Sequence, residues 1–134
     1  MTSRLTRWSA QLANWLDAPE VRALNARPAQ TDAEFHREHY FGAEVDVDTC
    51  VGIRRVLRQQ LRLGNTRPTD NLVSLFPDLD LGEVCFEIGE AFGFSFPESR
   101  IQQLDGSVDS LIRETQRLKD ERKLRLQGES PIRS

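Results

Sequence analysis

No stretch of this chain alternates apolar and polar residues for long enough to make a β-strand. Apolar residues instead recur every three or four positions, the spacing of a helix face. That periodicity confines the fold to the all-α class. Leu5, Trp8, Leu12, Trp15 and Leu16 form a narrow stripe over 3–16. Pro19 and Pro28 bound a weaker segment over 20–26. An aromatic stretch from Thr31 to Gly42 takes Thr31 or Asp32 as its N-cap and Gly42 as its stop. Asp46 and Asp48 offer a cap for a long helix to about Leu63, whose stripe is Val47, Cys50, Ile53, Leu57 and Leu61. Residues 66–70 make a loop, because Pro68 pushes Arg67 out of the α region. The run 70–76 allows at most two turns before Pro77. Asp80, with Glu83 three residues on, reads as a capping box. The helix it opens buries Leu81, Val84, Cys85, Ile88 and Phe92 and stops at Gly93. An extended linker over 94–97 and a short helix or turn over 98–104 follow. A last helix, capped by Ser107, turns Val108, Leu111, Ile112 and Leu118 inward.

At 134 residues with 38% apolar content, the chain suits one domain with a modest core. No window approaches the roughly 18 apolar residues of a membrane helix. The Met1 end lacks the apolar region of a secretory signal, so the expected setting is the cytoplasm. Cys50 and Cys85 both fall in apolar stripes and read as reduced, buried thiols. The tail from about Lys119 is charged and poor in apolar residues, which predicts fraying.

Charge is segregated. Between Pro68 and Ser99 there is no Lys or Arg, while Asp70, Asp78, Asp80, Glu83, Glu87, Glu90 and Glu98 all lie there. The segment before carries Arg54, Arg55, Arg58, Arg62 and Arg67. Either the acidic block attracts a basic partner over about a Debye length, roughly 8 Å at physiological salt, or Arg54 to Arg62 pair with it inside the molecule. On a helix, Asp80, Glu83, Glu87 and Glu90 follow i, i+3, i+7, i+10 and share a face opposite the apolar stripe. Phe86 falls between the two faces, as an apolar anchor for a partner or as a residue packed on the N-terminal segment.

The phrases Thr69-Asp70-Asn71-Leu72, Glu87-Ile88-Gly89-Glu90-Ala91-Phe92-Gly93-Phe94, Phe96-Pro97-Glu98 and Ser107-Val108-Asp109-Ser110-Leu111-Ile112 stand in a particular order. In that order, from about Val45 to Thr115, the chain resembles the acyl carrier protein family. The resemblance implies an acyl-carrier-like four-helix bundle over 45–116, a helical extension over 1–44 and a charged tail over 117–134. Members of that family attach 4′-phosphopantetheine to a serine in an Asp-Ser-Leu motif opening the second helix. The serine position falls on Asp78 when counted back from Phe92, or on Asp80 when counted forward from Leu72. Neither carboxylate can form the required phosphodiester, and no Ser or Thr lies between Ser74 and Ser95. The resemblance therefore implies a carrier-like module with no cofactor. Asp78, Asp80, Glu83, Phe86, Glu87 and Glu90 would face a basic protein partner, an enzyme of lipid or polyketide metabolism. The alternative is a working acyl or peptidyl carrier with phosphopantetheine on Ser74.

Other chemistry is weaker. His36 and His39 stand three apart without the third and fourth ligands of a zinc site. No nucleophile, base and orienting group fall together, and no glycine-rich phosphate loop occurs, so no enzyme is expected. A helix-turn-helix DNA binder would use Arg54, Arg55, Arg58 and Arg62, but the acidic helix and the net charge of −3 oppose phosphate. The first sixteen residues hold Arg4 and Arg7, two Trp and no acid, features of a membrane-surface helix or a transit peptide. Two cations are too few for firm membrane binding. The expectation is that the Trp8 and Trp15 face docks on the core or on a second copy of the chain, which would give a homodimer.

Overall fold

The computed structural model describes residues 15–129, which are helical with one isolated antiparallel bridge between Asn71 and Ser107. The helices are α1 (Pro19–Asn25), α2 (Asp32–Tyr40), α3 (Val47–Leu61), α4 (Leu72–Leu75), α5 (Leu81–Phe92), α6 (Glu98–Gln102) and α7 (Val108–Glu129). Most of the expected stripe over 3–16 lies outside the described residues. Its last aromatic, Trp15, is buried with its ring 5.0 Å from that of Phe76.

Local chemistry sets the helix starts. Thr31 caps α2 in a reciprocal box: its hydroxyl accepts from the Glu34 amide, and the Glu34 carboxylate accepts from the Thr31 amide. Asp46 caps α3 by accepting from the Thr49 amide at 2.8 Å. Asp80 caps α5 by accepting from the Gly82 amide at 2.8 Å.

The core collects Val21, Leu24, Phe35, Tyr40, Ile53, Leu57, Leu61, Leu72, Phe76, Val84, Ile88, Leu111 and Ile112. Helix α3 lies at its centre, against α2, α5 and α7. Val47, expected in the α3 stripe, is exposed, because at the first helical position it precedes the turn that meets α7. Arg54 reverses the usual rule for arginine. Its side chain is 2% exposed, donating to Asp32 Oδ1 at 2.6 Å and to the Gln30 carbonyl at 3.0 Å, with the guanidinium 4.7 Å from the Phe35 ring centre. A buried cation needs partners of this kind, and both terminal nitrogens have them while Nε has no hydrogen-bond partner. Arg54 ties the start of α2 to the middle of α3.

Helix α7 runs to Glu129, well past the point where fraying is expected. Partners hold the added turns. Lys119 donates to Asp46 and to the Thr49 hydroxyl, Arg122 donates to the Gly93 carbonyl, and Glu121 accepts from Arg100. Lys, Arg, Glu, Leu and Gln are also intrinsically good helix formers. Beyond Arg122, Leu124 and Leu126 are exposed.

A clasp closes the bundle between the 68–72 loop and the start of α7. The Leu72 amide donates to the Gly106 carbonyl at 2.8 Å, the Val108 amide to Asp70 at 2.9 Å, and the Asp109 amide to Pro68 at 2.9 Å. Gly106 has φ +89°, and a Cβ there would stand 2.9 Å from Asn71 Oδ1. Gly106→Ala therefore combines backbone strain with a clash and should cost about 1–3 kcal/mol. Urea unfolding measures it: the midpoint should fall, and an unchanged midpoint would show that the clasp is not needed.

Candidate functional site

Helix α5 has two unlike sides. Val84, Cys85 and Ile88 face the core, with Leu81 and Phe92 half-buried beside them. The chain then turns back sharply along α5. Gly93 closes the helix with φ +81°, and the Phe94 amide donates to the Gly89 carbonyl at 3.0 Å. Gly89 permits this return, since a Cβ on it would meet the Phe94 carbonyl oxygen at 2.3 Å. Phe92, Phe94 and Phe96 follow one another with ring centres 6.1 and 5.8 Å apart.

The return leaves a groove of about 370 Å³ between α5, the 94–96 linker and α6. Asp80, Glu83 and Glu90 supply its carboxylates, and Phe86, Phe94, Phe96 and Ile101 its apolar wall. Of the six residues expected at a partner face, four line this groove: Asp80, Glu83, Phe86 and Glu90. Asp78, Asp80 and Glu90 are exposed, and Phe86 is 45% exposed. Glu87 is half-buried and outside the lining.

Glu83 departs from expectation. The spacing places it on the outward side of α5, yet it is only 6% exposed. Periodicity fixes the angle of a side chain around its own helix but says nothing of what lies over it. The face is therefore acidic at its ends and covered near its middle.

Asp78 adopts φ +71° in the turn that delivers the chain into α5. Such a conformation is tolerated by aspartate better than by most residues. The turn thus carries a carboxylate at both Asp78 and Asp80, and Asp80 spends one oxygen on capping. Ser74 is exposed on the single turn of α4, where its amide donates to Asn71 Oδ1 at 3.0 Å.

The nearby cations are largely committed elsewhere. Arg100, the first after the cation-free stretch, pairs with Glu114 and Glu121 on α7. Arg27 makes a two-pronged contact with Asp70 at 2.7 and 2.8 Å. Arg54 is held by Asp32, so the arginine row of α3 loses one member to the interior and keeps Arg55, Arg58 and Arg62 exposed. The histidines have structural surroundings. His36 Nε2 lies 2.7 Å from the Val45 carbonyl, and the His39 ring meets Phe35 edge-on. Among the described residues no group of three metal-capable side chains comes together, and no helix is long and apolar enough to cross a membrane.

No family model, curated protein or solved structure matches the chain.

Both thiols are buried. Burial pushes Cys50 and Cys85 up to about 12, so at pH 8 only on the order of one molecule in ten thousand carries either as thiolate. Iodoacetamide at pH 8 should leave both unmodified in the folded protein and alkylate both in guanidinium. Cys85 also lines the groove, so its rapid labelling in the folded chain would mean that the groove opens there.

Proposed function

We propose that this chain is a non-catalytic, acyl-carrier-like interaction module that binds a basic protein partner through the acidic face of α5. The order of α3, a long loop, α5, the short α6 and α7 supports the family resemblance read from the sequence. The observation that carries the reading is the pairing of exposed Asp78, Asp80 and Glu90 with a half-exposed Phe86, in a stretch of chain holding no Lys or Arg. The carboxylates at the two candidate serine positions favour an adaptor over a carrier, since a prosthetic arm needs a hydroxyl oxygen. The partner class is a basic patch on an enzyme of lipid or polyketide metabolism, met in the cytoplasm.

The energetics describe a transient complex. Each exposed ion pair contributes about 0.2–1 kcal/mol and weakens with salt. Phe86 supplies the apolar contact that would raise affinity beyond charge alone.

Charge reversal at the two exposed carboxylates that do not cap α5 tests this. Asp78→Lys with Glu90→Lys should abolish capture of the partner that the wild-type chain retains from extracts of its own cell. Raising salt from about 0.05 to 0.3 M should weaken the wild-type complex. Equal capture by both forms at every salt concentration would leave α5 as a solvated surface.

A further inference from the structure

The outer arginines of α3 are not used by the fold. Arg55, Arg58 and Arg62 follow i, i+3, i+7, so they share one side of the helix, and all three are exposed. Helix α1 extends this surface. Asn25 fastens it to the end of α3, its side chain donating to the Arg62 carbonyl at 3.2 Å and accepting from the Gly64 amide at 3.0 Å. Arg22 stands one turn earlier on the same side of α1 and is exposed as well. Among the described residues none of these four guanidinium groups pairs with a carboxylate or donates a hydrogen bond, in contrast to Arg27 and Arg54.

Composition keeps this surface positive. Residues 21–31 and 49–69 contain no Asp or Glu, and Asp48 lies two turns before Arg55. Averaged over the chain, a net charge of −3 opposes phosphate, but a bound anion feels charge mainly within about a Debye length, roughly 8 Å. The cation is arginine at every position of the surface, while Lys119 and Lys123 lie on α7. An arginine fork meets phosphate with two parallel hydrogen bonds, a geometry that an ammonium does not offer. Arg62 adds a separate observation. It ends α3 in the left-handed conformation at φ +58°, which glycine adopts without strain. Among the described residues, no hydrogen bond or ion pair of its guanidinium offsets that strain.

We propose that Arg22, Arg55, Arg58 and Arg62 form a docking surface for the phosphate backbone of a nucleic-acid duplex, bound without regard to base sequence. An acidic protein would offer scattered ion pairs, each weak and screened. A duplex presents about one charge per 1.7 Å of its axis and releases condensed counterions when arginines replace them. A membrane surface calls for apolar side chains among the cations. Of the large exposed apolar residues only Val47 belongs to α1 or α3, at the end of α3 remote from Arg58 and Arg62. Neither helix contains an aromatic residue, so the unstacked bases of a single strand find no platform there.

Fluorescence anisotropy of the full chain with a labelled DNA duplex of about 20 base pairs tests this. Binding at about 0.05 M salt should weaken with a log–log slope of about −3 to −4, the value for four neutralised phosphates. Arg55→Gln/Arg58→Gln should lower affinity about tenfold and bring the slope near −2, while Arg125→Gln, outside the surface, should change neither. Arg62→Gly should raise the urea midpoint by relieving the strain and still weaken binding, a split that a purely structural role would not give. Absence of binding by the wild-type chain, or equal affinity in Arg55→Gln/Arg58→Gln or Arg62→Gly, would overturn the proposal. So would competition by polyglutamate as effective as that by unlabelled duplex, because the surface would then serve an acidic protein. Binding to phosphatidylserine vesicles in place of the duplex would overturn it in favour of a membrane. The acidic face of α5 is tested separately by its own charge reversal, and neither outcome decides the other.

Discussion

The clasp between the 68–72 loop and the N-terminus of α7 fixes where the acidic helix can point. The loop after Arg67 closes one turn of its own, from the Asp70 amide to the Arg67 carbonyl at 3.1 Å, and its other backbone groups need partners. They find them across the chain: Leu72 with Gly106, Val108 with Asp70, Asp109 with Pro68, and the Asn71 side chain with the Asp105 carbonyl at 2.9 Å. The Asp70 carboxylate also accepts from the Arg67 amide at 2.7 Å and receives both prongs of Arg27, which joins the 26–28 segment to the same point. With the loop held, Phe76 reaches the core and meets Trp15, and the 77–80 turn emerges at the surface. The acidic helix then has its core side determined by Val84, Cys85 and Ile88, and its outer side follows.

Charge follows the same geometry. The interior salt bridge of Arg54 with Asp32 and the surface contacts of Arg27, Arg100 and Lys119 engage carboxylates outside α5. Asp78, Asp80 and Glu90 meanwhile stand exposed at the surface and give this part of the chain a negative local field. Gly89 adds the shape, because the close return of Phe94 over it produces a walled groove with aromatic sides. This is the surface proposed to receive a basic partner.

Much of this was legible where the cues are local. Asp46, Asp80, Thr31 and Gly93 act within one turn of their own position, and the apolar stripes of α3 and α5 turn inward except at exposed Val47, with Leu81 and Phe92 half-buried. Features set by distant residues were not legible. Arg54 reads as one more surface arginine until Asp32 and Phe35 close around it. The continuation of α7 depends on Asp46 and Gly93, which lie far away in sequence. Glu83 is outward by periodicity and buried by cover, a distinction that no pattern in α5 contains. The acidic turn itself was fully legible, because it consists of residue types: Asp78 and Asp80 with no hydroxyl until Ser95.

That absence is the central chemical claim, and intact mass after incubation with coenzyme A and a broad-specificity phosphopantetheinyl transferase tests it most directly. An unchanged mass is the predicted result. A gain equal to one phosphopantetheine arm, mapped to Ser74 or to any residue of the 77–80 turn, would contradict it and make the chain a working carrier.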